Sequence, residues 1–88
     1  MKKLILIVDD HPDLVQMLEI ALKFFGYEVL VAYNGLKAIE IATLKSPDLI
    51  VMDMRMPIMN GIQAISLIRQ DPTTKNIPIL AATANAMP

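Results

Sequence analysis

The chain contains no cysteine, which excludes disulfides and thiol chemistry and is compatible with a cytoplasmic protein. No apolar run approaches the roughly 20 residues that cross a bilayer, so no membrane span is expected. Lys2-Lys3 ahead of Leu4-Ile5-Leu6-Ile7-Val8 superficially resembles the start of a signal peptide. That run is only five residues long, ends in Asp9-Asp10-His11-Pro12 and offers no small-residue cleavage site, which argues against secretion. Neither charge is in excess: eight basic and nine acidic residues are dispersed to a net −1. Without a Lys/Arg block or basic stripe, direct nucleic-acid binding is not expected. Linkers and low-complexity stretches are also missing, and 88 residues hold at most one domain.

What the chain has is apolar sequence, 55% of it, in short segments that alternate between two periods. Leu4–Val8, Glu28–Ala32, Asp48–Met52 and Ile77–Thr83 read as strands. The first and third are uninterrupted apolar runs, the mark of strands buried on both faces. Between them lie segments with helical spacing. The first starts at Pro12 or Asp13 and runs to about Phe25, stopping at Gly26. Leu14, Leu18, Ala21, Leu22 and Phe25 form its expected sheet-facing stripe. Met17, Ile20 and Phe24 carry apolar surface further round the cylinder, so this helix expects a second partner. Asn34-Gly35 reads as a turn. The second helix spans Leu36 to about Leu44, with Ile39 and Ala42 inward, and ends at Ser46-Pro47. The third runs from about Gly61 to Arg69 with Ile62, Ile65 and Ile68 as its stripe, and 71–76 reads as loop. Strand–helix alternation of this kind implies right-handed βαβ units and an α/β parallel sheet.

Two of the buried-type strands end in acid. Leu4–Val8 is followed by Asp9-Asp10, and Asp48–Met52 by Asp53. In open α/β sheets the carboxyl ends of strands face the crevice where ligands bind. If these two strands are parallel neighbours, three carboxylates converge. Like charges at that range oppose one another's ionisation unless a cation intervenes. A hard oxygen-seeking ion such as Mg²⁺ relieves the repulsion through carboxylates, waters and phosphate oxygens. Aspartates more commonly serve as N-caps and loop charges. That use explains any one of these residues better than all three at apolar strand exits. His11 reads as a surface residue at a helix start. Met52, Met54, Met56 and Met59 read as adaptable packing.

With these clusters and this alternation, the chain resembles the receiver domains of two-component response regulators. The resemblance is carried by Val8-Asp9-Asp10, by Asp48 through Pro57 with Asn60-Gly61, and by Pro78 through Met87. It implies a flavodoxin-like doubly wound sheet of order 2-1-3-4. It makes Asp53 the phosphoacceptor for a histidine kinase or phosphotransfer protein. Asp10 is then the direct Mg²⁺ ligand, with Asp9 holding a metal-bound water. Asp53 and the backbone carbonyl of Arg55 complete the protein's share. Thr83 becomes the hydroxyl that bonds a phosphoryl oxygen, Met54 and Ala84 flank the site, and Pro57 and Gly61 shape its loop.

Set against that family, the chain reads as lacking the carboxyl third: a fourth helix, a fifth strand and a fifth helix. The fifth strand of such domains ends in a lysine that pairs with the phosphoryl group. None of Lys2, Lys3, Lys23, Lys37, Lys45 and Lys75 occupies a later strand end. An open fourth strand and an uncovered first-helix flank lead to an expectation of self-association. Two rival functions remain at this point. One is an inactive self-associating fragment. The other is a Mg²⁺-dependent phosphohydrolase with an aspartyl nucleophile, whose general acid commonly stands two residues on, where this chain has Arg55.

Overall fold

The computed structural model describes residues 2–56 and 58–82. Its elements run β1 (Leu4–Val8), α1 (Pro12–Phe24), β2 (Glu28–Ala32), α2 (Gly35–Lys45), β3 (Leu49–Asp53), α3 (Gly61–Gln70) and β4 (Ile79–Ala82). The strands form one parallel sheet in the order β2-β1-β3-β4, as the sequence implies. β1 is paired on both sides: Leu6 stands between Leu30 and Ile50, and Val8 between Ala32 and Met52.

That central place explains why β1 shows no polar alternation, since both its faces are covered. Leu6, Val8, Ile50 and Met52 pack with Ala38 and Ala42 of α2 and Ala64 and Ile68 of α3. Ile5, Ile7, Leu49 and Val51 pack on the other side with Val15, Leu18 and Leu22 of α1. Right-handed crossovers dictate this division. The chain steps from β1 outward to β2, then reverses past β1 to β3, so α1 lies on one face and α2 and α3 on the other. The reversal leaves a crevice at the carboxyl ends of β1 and β3. Among the described residues no helix is long and apolar enough to cross a membrane.

Caps set the helix starts. Asn34 is the N-cap of α2, its Oδ1 accepting from the Lys37 amide at 2.9 Å, so Gly35 opens the helix rather than closing a turn. Asn60 and Gln63 form a reciprocal capping box on α3, with bonds of 2.9 and 3.2 Å.

Two expected stripes are corrected. In α1 the fully buried residue is Val15, whereas Ala21 and Phe25 are exposed or only partly covered. Because α1 is apolar most of the way round, hydrophobicity alone does not orient it, and the contact runs along Val15, Leu18 and Leu22. In α3 Ile62 is exposed and the face turned inward carries Gly61, Ala64 and Ile68. The small residues lie where the helix comes nearest the sheet and α2. Met17, Ile20 and Phe24 are exposed along α1, as is Leu80 on β4.

Among the described residues β4 starts at Ile79, two residues later than expected. Pro78 has no N–H, and the Ile77 amide turns back to the Thr74 carbonyl at 3.1 Å. The preceding segment is more than a loop. Thr74 is 2% exposed and its Oγ1 donates to the Ile68 carbonyl at 2.8 Å, while Arg69 Nη1 donates to the carbonyls of Lys75 and Ile77, both at 2.8 Å. Thr74→Val keeps the shape and removes that buried donor. It is expected to lower stability by about 1 kcal/mol, measurable as a shifted urea midpoint with an unchanged slope.

Candidate functional site

The crevice is built from two strand exits that use the same device. Asp9 follows β1 and stays in its ladder, its amide donating to the Ala32 carbonyl at 3.1 Å. Its Oδ1 accepts from the His11 amide at 2.8 Å. Asp53 closes β3, and its Oδ1 accepts from the Arg55 amide at 3.0 Å. Each aspartate thus ties down the backbone two residues ahead, which fixes its own side chain. Since Val8 pairs with Met52, the next residues on the two strands, Asp9 and Asp53, come side by side.

Asp9, Asp10, His11 and Asp53 each offer one ligand atom, and these four atoms lie within 4.8 Å of one another. Asp53 is 5% exposed and Asp9 9%. Buried carboxylates at this separation repel one another and are stable only beside positive charge. When protonated, His11 supplies such charge: its Nδ1 is 2.7 Å from Asp9, 3.1 Å from Asp10 and 4.0 Å from Asp53. The Asp9 hydrogen bond, then the charges of Asp10 and Asp9, hold the imidazole pKa above its ordinary value. The contact therefore adds stability below the ordinary imidazole pKa and loses it as pH rises through the raised one.

Asp10 supplies a further observation. Its Oδ1 is buried and has no hydrogen-bond partner; the nearby imidazole nitrogen is not aligned to donate to it. A buried carboxylate oxygen without a partner, among carboxylates aimed at one point, suits a hard cation with oxygen ligands. The donor set present fits Mg²⁺.

Of the residues marked out in the sequence, Asp9, Asp10 and Asp53 are brought together. Arg55 is joined to them through its amide, with its side chain in solvent. Thr83, Ala84 and Pro57 lie outside the described residues. Ala82, just before Thr83, pairs with Asp53 and accepts from the Met54 amide at 3.0 Å, so β4 ends beside the site. The direct approach of His11 to the carboxylates was not legible in the sequence, and a lone histidine after two aspartates gives little signal. Gly61 is also part of the site. A Cβ there would stand 2.5 Å from the Asp53 carbonyl oxygen and 2.7 Å from Met54 Cα, so only glycine lets α3 begin this close to Asp53.

A profile of the response regulator receiver domain matches residues 5–88. The polar-differentiation response regulator DivK of Brucella anthropi is 33% identical over 87 residues, covering 99% of this chain and 71% of that protein. Among solved structures, the receiver domain of sensor histidine kinase PA1611 from Pseudomonas aeruginosa superposes with a TM-score of 0.93 at 34% identity, over 99% of this chain and 71% of that one. That structure has a magnesium ion coordinated in its active-site cleft. The chemotaxis protein CheY4 of Vibrio cholerae superposes with a TM-score of 0.92 at 33% identity, over 100% of this chain and 73% of that one.

Proposed function

Because this chain belongs to the response regulator receiver family, we propose that Asp53 is the phosphoacceptor of a two-component signalling module. Its donor is a histidine kinase or phosphotransfer protein. The observation that carries the reading is the convergence of Asp9, Asp10 and Asp53 within 4.8 Å at the crevice.

Phosphoryl transfer asks a protein mainly for in-line positioning and for neutralisation of charge. Asp53 supplies the positioning. With Oδ1 held by the Arg55 amide, one carboxylate oxygen attacks the phosphorus of a phosphohistidine. An O–P bond forms, the N–P bond breaks, and the departing imidazole nitrogen keeps the electron pair and takes up a proton. Asp10, Asp9, Asp53 and the Arg55 carbonyl would hold Mg²⁺, which when bound supplies countercharge to the carboxylates and the phosphoryl oxygens. Thr83, following Ala82 in sequence, is proposed to donate its hydroxyl to a phosphoryl oxygen and to relay the new charge to the residues that follow it.

The phosphohydrolase reading is not favoured, since a guanidinium stands where the general acid would be and it is solvent-exposed. The module is therefore read as a signalling element rather than an enzyme. Exposure of Met17, Ile20 and Phe24 on α1, and of Leu80 on β4, supports one secondary proposal, self-association across that flank. Incubation with phosphoramidate and MgCl2, followed by intact mass and peptide mapping, tests the main reading. One phosphoryl adduct on the peptide carrying Asp53, absent when EDTA replaces Mg²⁺, is expected. An adduct elsewhere, or one indifferent to EDTA, would overturn it.

A further inference from the structure

The loop between β3 and α3 is gripped from outside by a residue of another element. Gly35, the first residue of α2, lies against Met59 so closely that a Cβ would stand 2.6 Å from the Met59 carbonyl oxygen. It would also stand 2.8 Å from Met59 Cβ and 2.9 Å from Cγ. Two of those three atoms do not move when the methionine changes rotamer, so the contact cannot be relieved by the side chain alone. α2 is not free to yield. Its start is capped by Asn34, and Ala38 and Ala42 are fully buried against the sheet.

The loop on the other side of that contact is constrained at both ends. Asp53 holds the Arg55 amide, and the Gly61 amide donates to the Met54 carbonyl at 3.3 Å. In between, Ile58 sits at φ 72°, a left-handed conformation that a β-branched residue rarely adopts, with its side chain exposed. Its neighbour Met59 is half-buried against the core and pressed on Gly35.

We propose that Gly35 is a positioning residue for the metal site. By letting α2 touch Met59, it sets where Met59 sits ahead of α3 and with it the direction of the Arg55 peptide. This rests on reading the acidic cluster as a Mg²⁺ site, and it extends that reading to a glycine lying well before Asp53 in the sequence. A methyl group at position 35 pushes Met59 outward, and the loop passes the displacement to the peptide that joins Asp53 in holding the ion.

The test is Mg²⁺ titration by calorimetry, with amide NMR spectra of the metal-free proteins. Gly35→Ala is expected to weaken Mg²⁺ binding roughly tenfold, as outer-shell changes at metal sites do. It should also shift the amide resonances of Arg55, Met56 and Ile58 to Asn60 before any metal is added. Ala42→Gly, which loosens the same helix far from Met59, is the control and should bind as wild type does. Equal binding by wild type and Gly35→Ala overturns the proposal. So does equal weakening in both variants, the mark of a merely structural role. Should Gly35→Ala fail to fold, Met59→Gly removes the other side of the contact; unchanged affinity there is also fatal. Absence of Mg²⁺ uptake by the wild-type chain would instead remove the underlying site reading, which separates the two failures.

Discussion

Asp53→Asn is expected to abolish phosphoryl incorporation while leaving the fold in place. Asparagine has nearly the shape of aspartate, and its side-chain oxygen can still accept from the Arg55 amide, which now stands 3.0 Å from Asp53 Oδ1. What it loses is the charged oxygen that attacks phosphorus. An amide oxygen is a poor nucleophile and forms no stable phosphoryl adduct. Removing one of three converging carboxylates also relieves repulsion in the crevice, so thermal stability should not fall. Intact mass under conditions that load the wild-type chain reads the first effect, and a circular-dichroism melt reads the second. Persistence of the adduct in Asp53→Asn would place the nucleophile elsewhere, with Asp9, Asp10 and His11 the nearest candidates. Asp10→Ala makes a useful contrast, since it removes a proposed ligand and spares the nucleophile. It should demand more Mg²⁺ for the same loading.

Gly61→Ala should be strongly destabilising. The added Cβ meets the Asp53 carbonyl oxygen at 2.5 Å, Met54 Cα at 2.7 Å and Met54 Sδ at 3.0 Å. The first two are backbone atoms that no rotamer change removes, so the start of α3 or the end of β3 must move. Overpacking of this kind costs about 3 kcal/mol, which in a domain of this size lowers the melting temperature by roughly 15 °C. Gly26→Ala provides the comparison. Gly26 has φ +94° but nothing within 4 Å of where an added methyl would stand, so only backbone strain opposes the change, about 1 kcal/mol. Thermal unfolding of both variants decides whether close approach or conformation matters more at Gly61. Similar losses in the two would refute the crowding seen around Asp53. Because the displaced atoms include the carbonyl of the proposed phosphoacceptor itself, the surviving folded fraction of Gly61→Ala should also phosphorylate poorly.

The strands were legible because burial on both faces leaves a plain trace. β1 and β2 occupy the residues their apolar runs mark out, and β3 is displaced by a single residue. Strand order followed from the family resemblance. The helix faces were harder. Reading the largest apolar side chains as the contact stripe selects Ile62 and Phe25, both of which face solvent. Ala42 and Ile68 turn inward as read, but the contacts also run through Val15, Ala38 and Ala64, because close packing on a sheet rewards small volume as much as hydrophobicity. The carboxylate cluster was visible as three acids at two strand exits. Its histidine was not, since the hydrogen bond between His11 and Asp9 depends on how the chain turns between β1 and α1. Nor does anything in Asn34-Gly35 announce that Met59 lies against it, because that contact joins elements distant in sequence.

The place of β1 in the middle of the sheet bears on how the chain is made. Its first strand leaves the ribosome before either neighbour has emerged, since its partners lie at Glu28–Ala32 and Leu49–Met52. At roughly 5–20 residues per second, Leu4–Val8 waits a few seconds as a naked, aggregation-prone pentapeptide. Lys2-Lys3 on one side and Asp9-Asp10 on the other are suited to guard it during that interval, as charged gatekeepers do beside unavoidable apolar strands. The acids that gather round the crevice thus also stand where charged residues limit association of an exposed apolar strand.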